Sequence, residues 1–141
     1  VLVVIATSFG VGAALHKSGA AALLADTLIA TAGGAPWPTL ALVFLVTAML
    51  TALVTNNVAA VLVFPIALAA AQSMQVSVLP FAITIMVAAS ASFATPIGYQ
   101  TNLMVYNAGG YRFADFLRVG LPLTLLVGAV TLAVVPLAWP L

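Results

Sequence analysis

The sequence predicts an all-α membrane protein organised around a re-entrant helical hairpin and a discontinuous helix, and three observations carry that expectation. First, 65% of the 141 residues are hydrophobic and 4% are charged, with a mean hydropathy of +1.32; a soluble domain has about a quarter of its residues charged. Second, Thr55-Asn56-Asn57 interrupts the centre of a run from Thr39 to Ala71 that holds no charged residue. Third, Thr95-Pro96-Ile97-Gly98-Tyr99-Gln100-Thr101-Asn102 breaks another apolar run that begins near Leu79.

Composition also excludes several functions. The net charge of +1 comes from isolated residues spread along the chain, so there is no basic patch for nucleic acid. With no cysteine there is no disulfide framework, thiolate nucleophile or cysteine metal site. The chain starts at Val1 inside an apolar stretch and stops as abruptly at Leu141, as expected of a portion of a longer polypeptide.

Residues 1–38 read as a truncated or interfacial helix followed by a short membrane helix. At about 1.5 Å per residue, Val1 to Leu15 is too short to cross a hydrocarbon core of roughly 30 Å, and Lys17 then sits among headgroups. Ser18-Gly19 closes that helix. The next, Ala20 to Ala32, ends at Gly33-Gly34-Ala35-Pro36-Trp37-Pro38, where Trp37 suits a membrane interface. Asp26 inside it is either a functional intramembrane acid or an interfacial capping group.

Residues 39–72 would make a single straight helix of about 50 Å, far longer than one crossing, yet they leave no loop for two complete crossings. A re-entrant helical hairpin resolves the arithmetic, with arms Thr39–Val54 and Val58–Ala71 and a tip at 55–57. Irregular backbone at membrane depth persists only where protein or water covers it, so the tip faces an interior. Pro65 kinks the second arm. Gln72-Ser73-Met74-Gln75 then makes a polar turn on the same side as Trp37.

Residues 79–108 read as a discontinuous transmembrane helix. Pro80 suits a first turn, and Ala88-Ala89-Ser90-Ala91-Ser92 permits close helix approach. The break falls near 95–98, because Pro96 disfavours helical geometry at Thr95 and Gly98 adds a second unwinding point. Residues 115–141 form the last transmembrane helix. Arg112 and Arg118 lie just before its apolar run, Val119 to Leu141, as interface anchors and assign their loop to the cytoplasm; the hairpin then enters from outside and Lys17 lies inside.

Threonine hydroxyls, asparagine oxygens and unpaired carbonyls are hard neutral ligands suited to a monovalent cation such as sodium, whereas magnesium or transition metals favour carboxylate, histidine or thiolate. The amino end of a half-helix favours an anion. Candidate sodium ligands are Thr55, Asn56, Thr95, Pro96 and Gly98, and candidate anion contacts are Thr55, Asn56, Asn57, Thr101 and Asn102. None of these titrates near neutral pH, which argues against a proton pump. From the pattern alone a transport site leads over a channel-like pore and over structural packing by interhelical amides.

Thr55-Asn56-Asn57-Val58-Ala59-Ala60 with Phe64-Pro65-Ile66, and Ala94-Thr95-Pro96-Ile97-Gly98-Tyr99-Gln100-Thr101-Asn102-Leu103, closely resemble the divalent anion/sodium symporter family. Gly109-Gly110-Tyr111-Arg112-Phe113-Ala114-Asp115-Phe116 looks like the loop that follows in its bacterial permeases. The resemblance implies a fragment of an inverted-repeat ion transporter fold, namely the latter part of the second repeat. It further implies sodium as coupling ion without an organic cofactor, a divalent anion substrate (sulfate, a C4-dicarboxylate or citrate), and a bacterial inner-membrane homodimer. The other half of the site would come from the missing N-terminal repeat.

In that family each hairpin tip carries Ser-Asn-Thr. Here Thr55 keeps the hydroxyl, while Asn57 replaces Thr at a position that helps recognise the anion. The Thr95-Pro96 break matches the family's unwound helix, whose carbonyls complete a sodium site. An efflux antiporter of the arsenite-carrier type shares the architecture and is the alternative, with an ion channel as a further one.

Overall fold

The computed structural model describes residues 2–141, and every regular element among the described residues is helical. The order is α1 (Leu2–Lys17), α2 (Ala20–Thr31), α3 (Pro36–Thr51), α4 (Asn56–Ser73), α5 (Val78–Ser90), α6 (Gln100–Ala108) and α7 (Phe113–Ala138). The all-α membrane class holds. With 18 and 26 residues, α4 and α7 are long and apolar enough to cross a membrane, while α2 and α3, bent by 118°, form a broken span or a re-entrant loop.

Local chemistry sets the boundaries. Gly33 and Gly34 take φ of +69° and +78°, a region open to glycine, and Pro36 pre-sets the first turn of α3. Ser77 caps α5, its Oγ accepting the Leu79 N–H at 3.4 Å. Asp115 opens α7 by accepting the Arg112 N–H at 2.8 Å. Asp26 lies exposed on α2, outside the core.

The core fixes helix directions. Leu40 and Val43 from the start of α3 pack with Ala67 and Ala71 from the end of α4 and with Phe81 and Ile85 from α5. Further along, Phe44 and Ala48 meet Ala88 and Ala91. Helices α3 and α5 therefore run parallel, and α4 runs antiparallel to both. Helix α4 continues through the buried Pro65 with one ladder bond fewer. On one side α1 and α2 pack against α4, and on the other α7 covers α3 and α5.

Helix α7 runs antiparallel to α3 and α5. Trp37 Nε1 donates to the Leu132 carbonyl at 3.1 Å, and Thr124 Oγ1 donates to the Ala91 carbonyl at 3.4 Å. Gly128 lies so close to Phe44 that an added Cβ would stand 2.7 Å from its Cε1. At Gly120 the same addition would lie 2.1 Å from the Phe93 carbonyl oxygen, so small residues let these backbones approach. By contrast, the backbone of α6 packs closely on no other helix among the described residues, and α6 meets α7 through the rings of Tyr106 and Phe116.

One core hydroxyl is anomalous. Thr84 is fully buried on α5, and its Oγ1 finds no partner among the described residues. Thr84→Val keeps the volume and removes the unsatisfied group, and is expected to stabilise the protein by about 1 kcal/mol. The check is the thermal unfolding midpoint of the full-length protein in detergent, which should rise; a fall would mean that the hydroxyl has a partner.

Candidate functional site

Both interruptions lie in one place. Helix α3 ends at Thr51, the chain turns through residues 52–55, and Thr55 stands extended before α4 with φ −69° and ψ 152°. Asn56 and Asn57 therefore occupy the first turn of α4, and the turn itself falls just before them. The physical reason is that the amide helps to start the helix: Asn56 Oδ1 accepts the Asn57 N–H at 2.8 Å, satisfying one donor that an α-helix start leaves unpaired.

The second interruption opens at Ala91 and lasts until Gln100 starts α6. Proline explains its length. Pro96 has no N–H and its ring clashes with the carbonyl four residues back, so the turn before it loses its ladder. Carbonyls left without partners at both interruptions are met by donors from across the gap. Thr51 Oγ1 donates to the Ala89 carbonyl at 2.7 Å, and in return Ser92 Oγ donates to the Thr51 carbonyl at 3.0 Å. Thr95 Oγ1 donates to the Ala52 carbonyl at 2.5 Å and accepts the Gly98 N–H at 3.3 Å. Asn102 Nδ2 donates to the carbonyls of Ser92 at 3.0 Å and Thr95 at 3.3 Å.

Gly98 fits here because it lacks a side chain; a Cβ would lie 2.0 Å from Ser92 Oγ and 2.3 Å from the Thr51 carbonyl oxygen. Thr95, Pro96 and Gly98 are buried, Asn56 and Asn102 are half-buried, and Thr55, Asn57 and Thr101 are exposed. Of the residues singled out from sequence, Thr95, Gly98 and Asn102 share one hydrogen-bonded network, and the turn they grip leads directly into Thr55, Asn56 and Asn57. Thr101, in the first turn of α6, makes none of the network's bonds. Sequence reasoning did not single out Thr51 or Thr124, and it read Ser92 only as a small packing residue. The usable signal was a hydroxyl residue within an apolar helix, close to an interruption.

The electrostatics follow from helix ends. The carboxyl ends of α3 and α5 and the amino ends of α4 and α6 converge on this crossing, and the former carry partial negative charge and the latter partial positive charge. The residues preceding α4 and α6, Thr55 and Tyr99, make no side-chain cap bond. No residue in 51–57 or 92–102 is charged, and the described residues hold no group of three His, Cys, Asp or Glu able to bind a metal. Such a crossing offers neutral oxygens to a weakly demanding cation and backbone N–H groups to an anion.

A family profile described as a citrate transporter (CitMHS) matches residues 1–140. An uncharacterized transporter of Synechocystis is 45% identical over 133 residues, which are 93% of this chain and 22% of that protein. The uncharacterized transporter YfbS of Escherichia coli is 41% identical over 128 residues, 90% of this chain and 21% of its own length. Sodium/sulfate cotransporter 1 of Chlamydomonas reinhardtii is 42% identical over 124 residues, 86% of this chain and 14% of its length. The chain thus spans about a fifth or less of the length of these relatives.

Proposed function

Because this chain belongs to the citrate transporter (CitMHS) family, whose members are membrane transporters and not enzymes, we propose that it carries part of the ion and substrate site of a sodium-coupled divalent-anion carrier. The observation that carries this reading is the convergence of two helix carboxyl ends and two helix amino ends on one uncharged crossing. In this reading sodium is held by oxygens of Thr55, Asn56, Thr95, Pro96 and Gly98. The anion meets Thr55, Asn56, Asn57 and Thr101 at the amino ends of α4 and α6, and Asn102, expected from sequence as a fifth contact, is set apart because its amide nitrogen is taken by the Ser92 and Thr95 carbonyls. Sulfate is favoured by the cotransporter relative's name, and citrate by the family's description; a C4-dicarboxylate is the further alternative.

Helix α7 supports a mid-membrane depth for the crossing. Leu132 binds Trp37 at one level and Gly120 touches Phe93 at another, a separation of roughly 18 Å along the helix. With Trp37 at an interface, the crossing lies near the middle of a core of roughly 30 Å, and α3 with α4 forms a re-entrant hairpin. We place the complete carrier as a homodimer in a bacterial inner membrane, its site completed by another repeat of the same polypeptide. Vesicles containing the full-length protein should accumulate labelled sulfate or succinate against a gradient when sodium is supplied outside. Uptake indifferent to sodium, or conductance without accumulation, overturns the reading.

A further inference from the structure

Asn102 does something that anion binding does not require. Among the described residues the backbone of helix α6 packs closely on no other helix, and its only half-buried side chains are Asn102 and Tyr106. Tyr106 touches the Phe116 ring at a centroid distance of 6.0 Å. Asn102 instead sends its amide nitrogen to two carbonyls of the broken segment, Ser92 at 3.0 Å and Thr95 at 3.3 Å. Both partners are acceptors only, so the group facing them is the NH2. Ser92 and Thr95 also extend hydroxyls in the other direction, onto the Thr51 and Ala52 carbonyls. Each is therefore held from two sides: the hairpin turn takes its hydroxyl, and α6 takes its carbonyl.

We propose that Asn102 is a positioning residue for the coupling cation: its amide, anchored on the Ser92 carbonyl, fixes the direction of the Thr95 carbonyl and thereby sets sodium affinity, without contacting the anion. This inference rests on the sodium site proposed above. A carbonyl oxygen has two lone pairs; the amide uses one and leaves the other for the ion. The planar NH2 ties the Thr95 oxygen to the Ser92 carbonyl through one rigid group, so the ion meets the Thr95 oxygen in a preset direction. Aspartate in its place would turn acceptors toward acceptors and push the carbonyls apart. Groups behind ligands commonly tune affinity in this way, and removing one typically weakens a metal site about 10- to 100-fold.

The test measures stabilisation of purified full-length protein against heat, first by sodium alone and then by sulfate and succinate at saturating sodium. Asn102→Ala should raise the sodium half-saturation about tenfold or more and narrow the preference for sodium over lithium. The anion half-saturation at saturating sodium should stay within about twofold of wild type. Asn102→Ser, which retains one donor, should give a smaller shift of the same kind and serves if the alanine variant does not fold. Unchanged sodium dependence in either folded variant overturns the inference. So does a shift confined to the anion, which would make Asn102 an anion contact. If wild type itself ignores sodium, the sodium site fails and the inference falls with it, a result visible before any variant is made.

Discussion

Replacing Asn56 by alanine is expected to lower sodium-dependent anion uptake by about ten- to a hundredfold while leaving the protein folded. Asn56 is the first residue of α4, half-buried at the crossing, with its Oδ1 bound to the Asn57 N–H. Alanine removes that acceptor together with an NH2 donor at the amino end of a helix. A hydrogen bond to a charged group contributes about 1.5–3 kcal/mol, and each 1.4 kcal/mol is about a factor of ten in binding. Because helix α4 can still form, the thermal midpoint should move little. The measurement is initial uptake of labelled sulfate or succinate in vesicles with and without sodium, normalised to folded protein. Full sodium coupling in a folded N56A carrier would remove this helix start from the transport site. Asn56→Asp sharpens the result, since a fixed negative charge there should abolish anion uptake while sparing sodium binding.

Gly98→Ala should be at least as damaging, for a steric reason. The new Cβ would stand 2.0 Å from Ser92 Oγ and 2.3 Å from the Thr51 carbonyl oxygen, with the Ala52 Cα at 3.2 Å. The hairpin turn and the broken segment would have to part, straining the bonds from Ser92 to Thr51 and from Thr95 to Ala52. Overpacking of this kind typically costs about 1–3 kcal/mol, and uptake is expected to fall to background because the crossing itself is displaced. Ser92→Ala should not rescue it: that change removes the Oγ obstacle, whereas the Thr51 carbonyl belongs to the backbone and remains. Wild-type-like uptake and midpoint in G98A would show that the two segments do not touch as described.

What could be read from the residues followed from cost. Amides, prolines and glycines are expensive in apolar surroundings, so Thr55-Asn56-Asn57 and the Thr95–Asn102 stretch marked irregular backbone before any fold was known. The Ser18-Gly19 boundary and the Gly33–Pro38 turn were legible from the same chemistry. The end of α5 was not, because Ala88 to Ser92 contains no helix breaker of its own. There the helix gives way to donors from elsewhere, Thr51 on the Ala89 carbonyl and Thr124 on that of Ala91. The turn before Asn56 was misplaced by a few residues for a related reason: asparagine suits both a turn and a helix start, and only the bond from Asn57 N–H to Asn56 Oδ1 decides between them. The parallel course of α3 and α5 depends on residues such as Leu40 and Phe81, far apart in sequence and identical in character to their neighbours.

The bonds that join these helices share one asymmetry: nearly every donor is a side chain and every acceptor is a main-chain carbonyl. Any amino acid brings a carbonyl, so Ala52, Ala89, Ala91 and Leu132 can change identity within the limits of volume and still accept. Trp37, Thr51, Ser92, Thr95, Asn102 and Thr124 have no such latitude. A saturation-mutagenesis map of transport should therefore split the pairs whose acceptor is Ala52, Ala89, Ala91 or Leu132, with intolerance on the donor and permissiveness on the acceptor. In informational terms, the crossing is specified by a few polar letters, and the apolar text around them is free to drift.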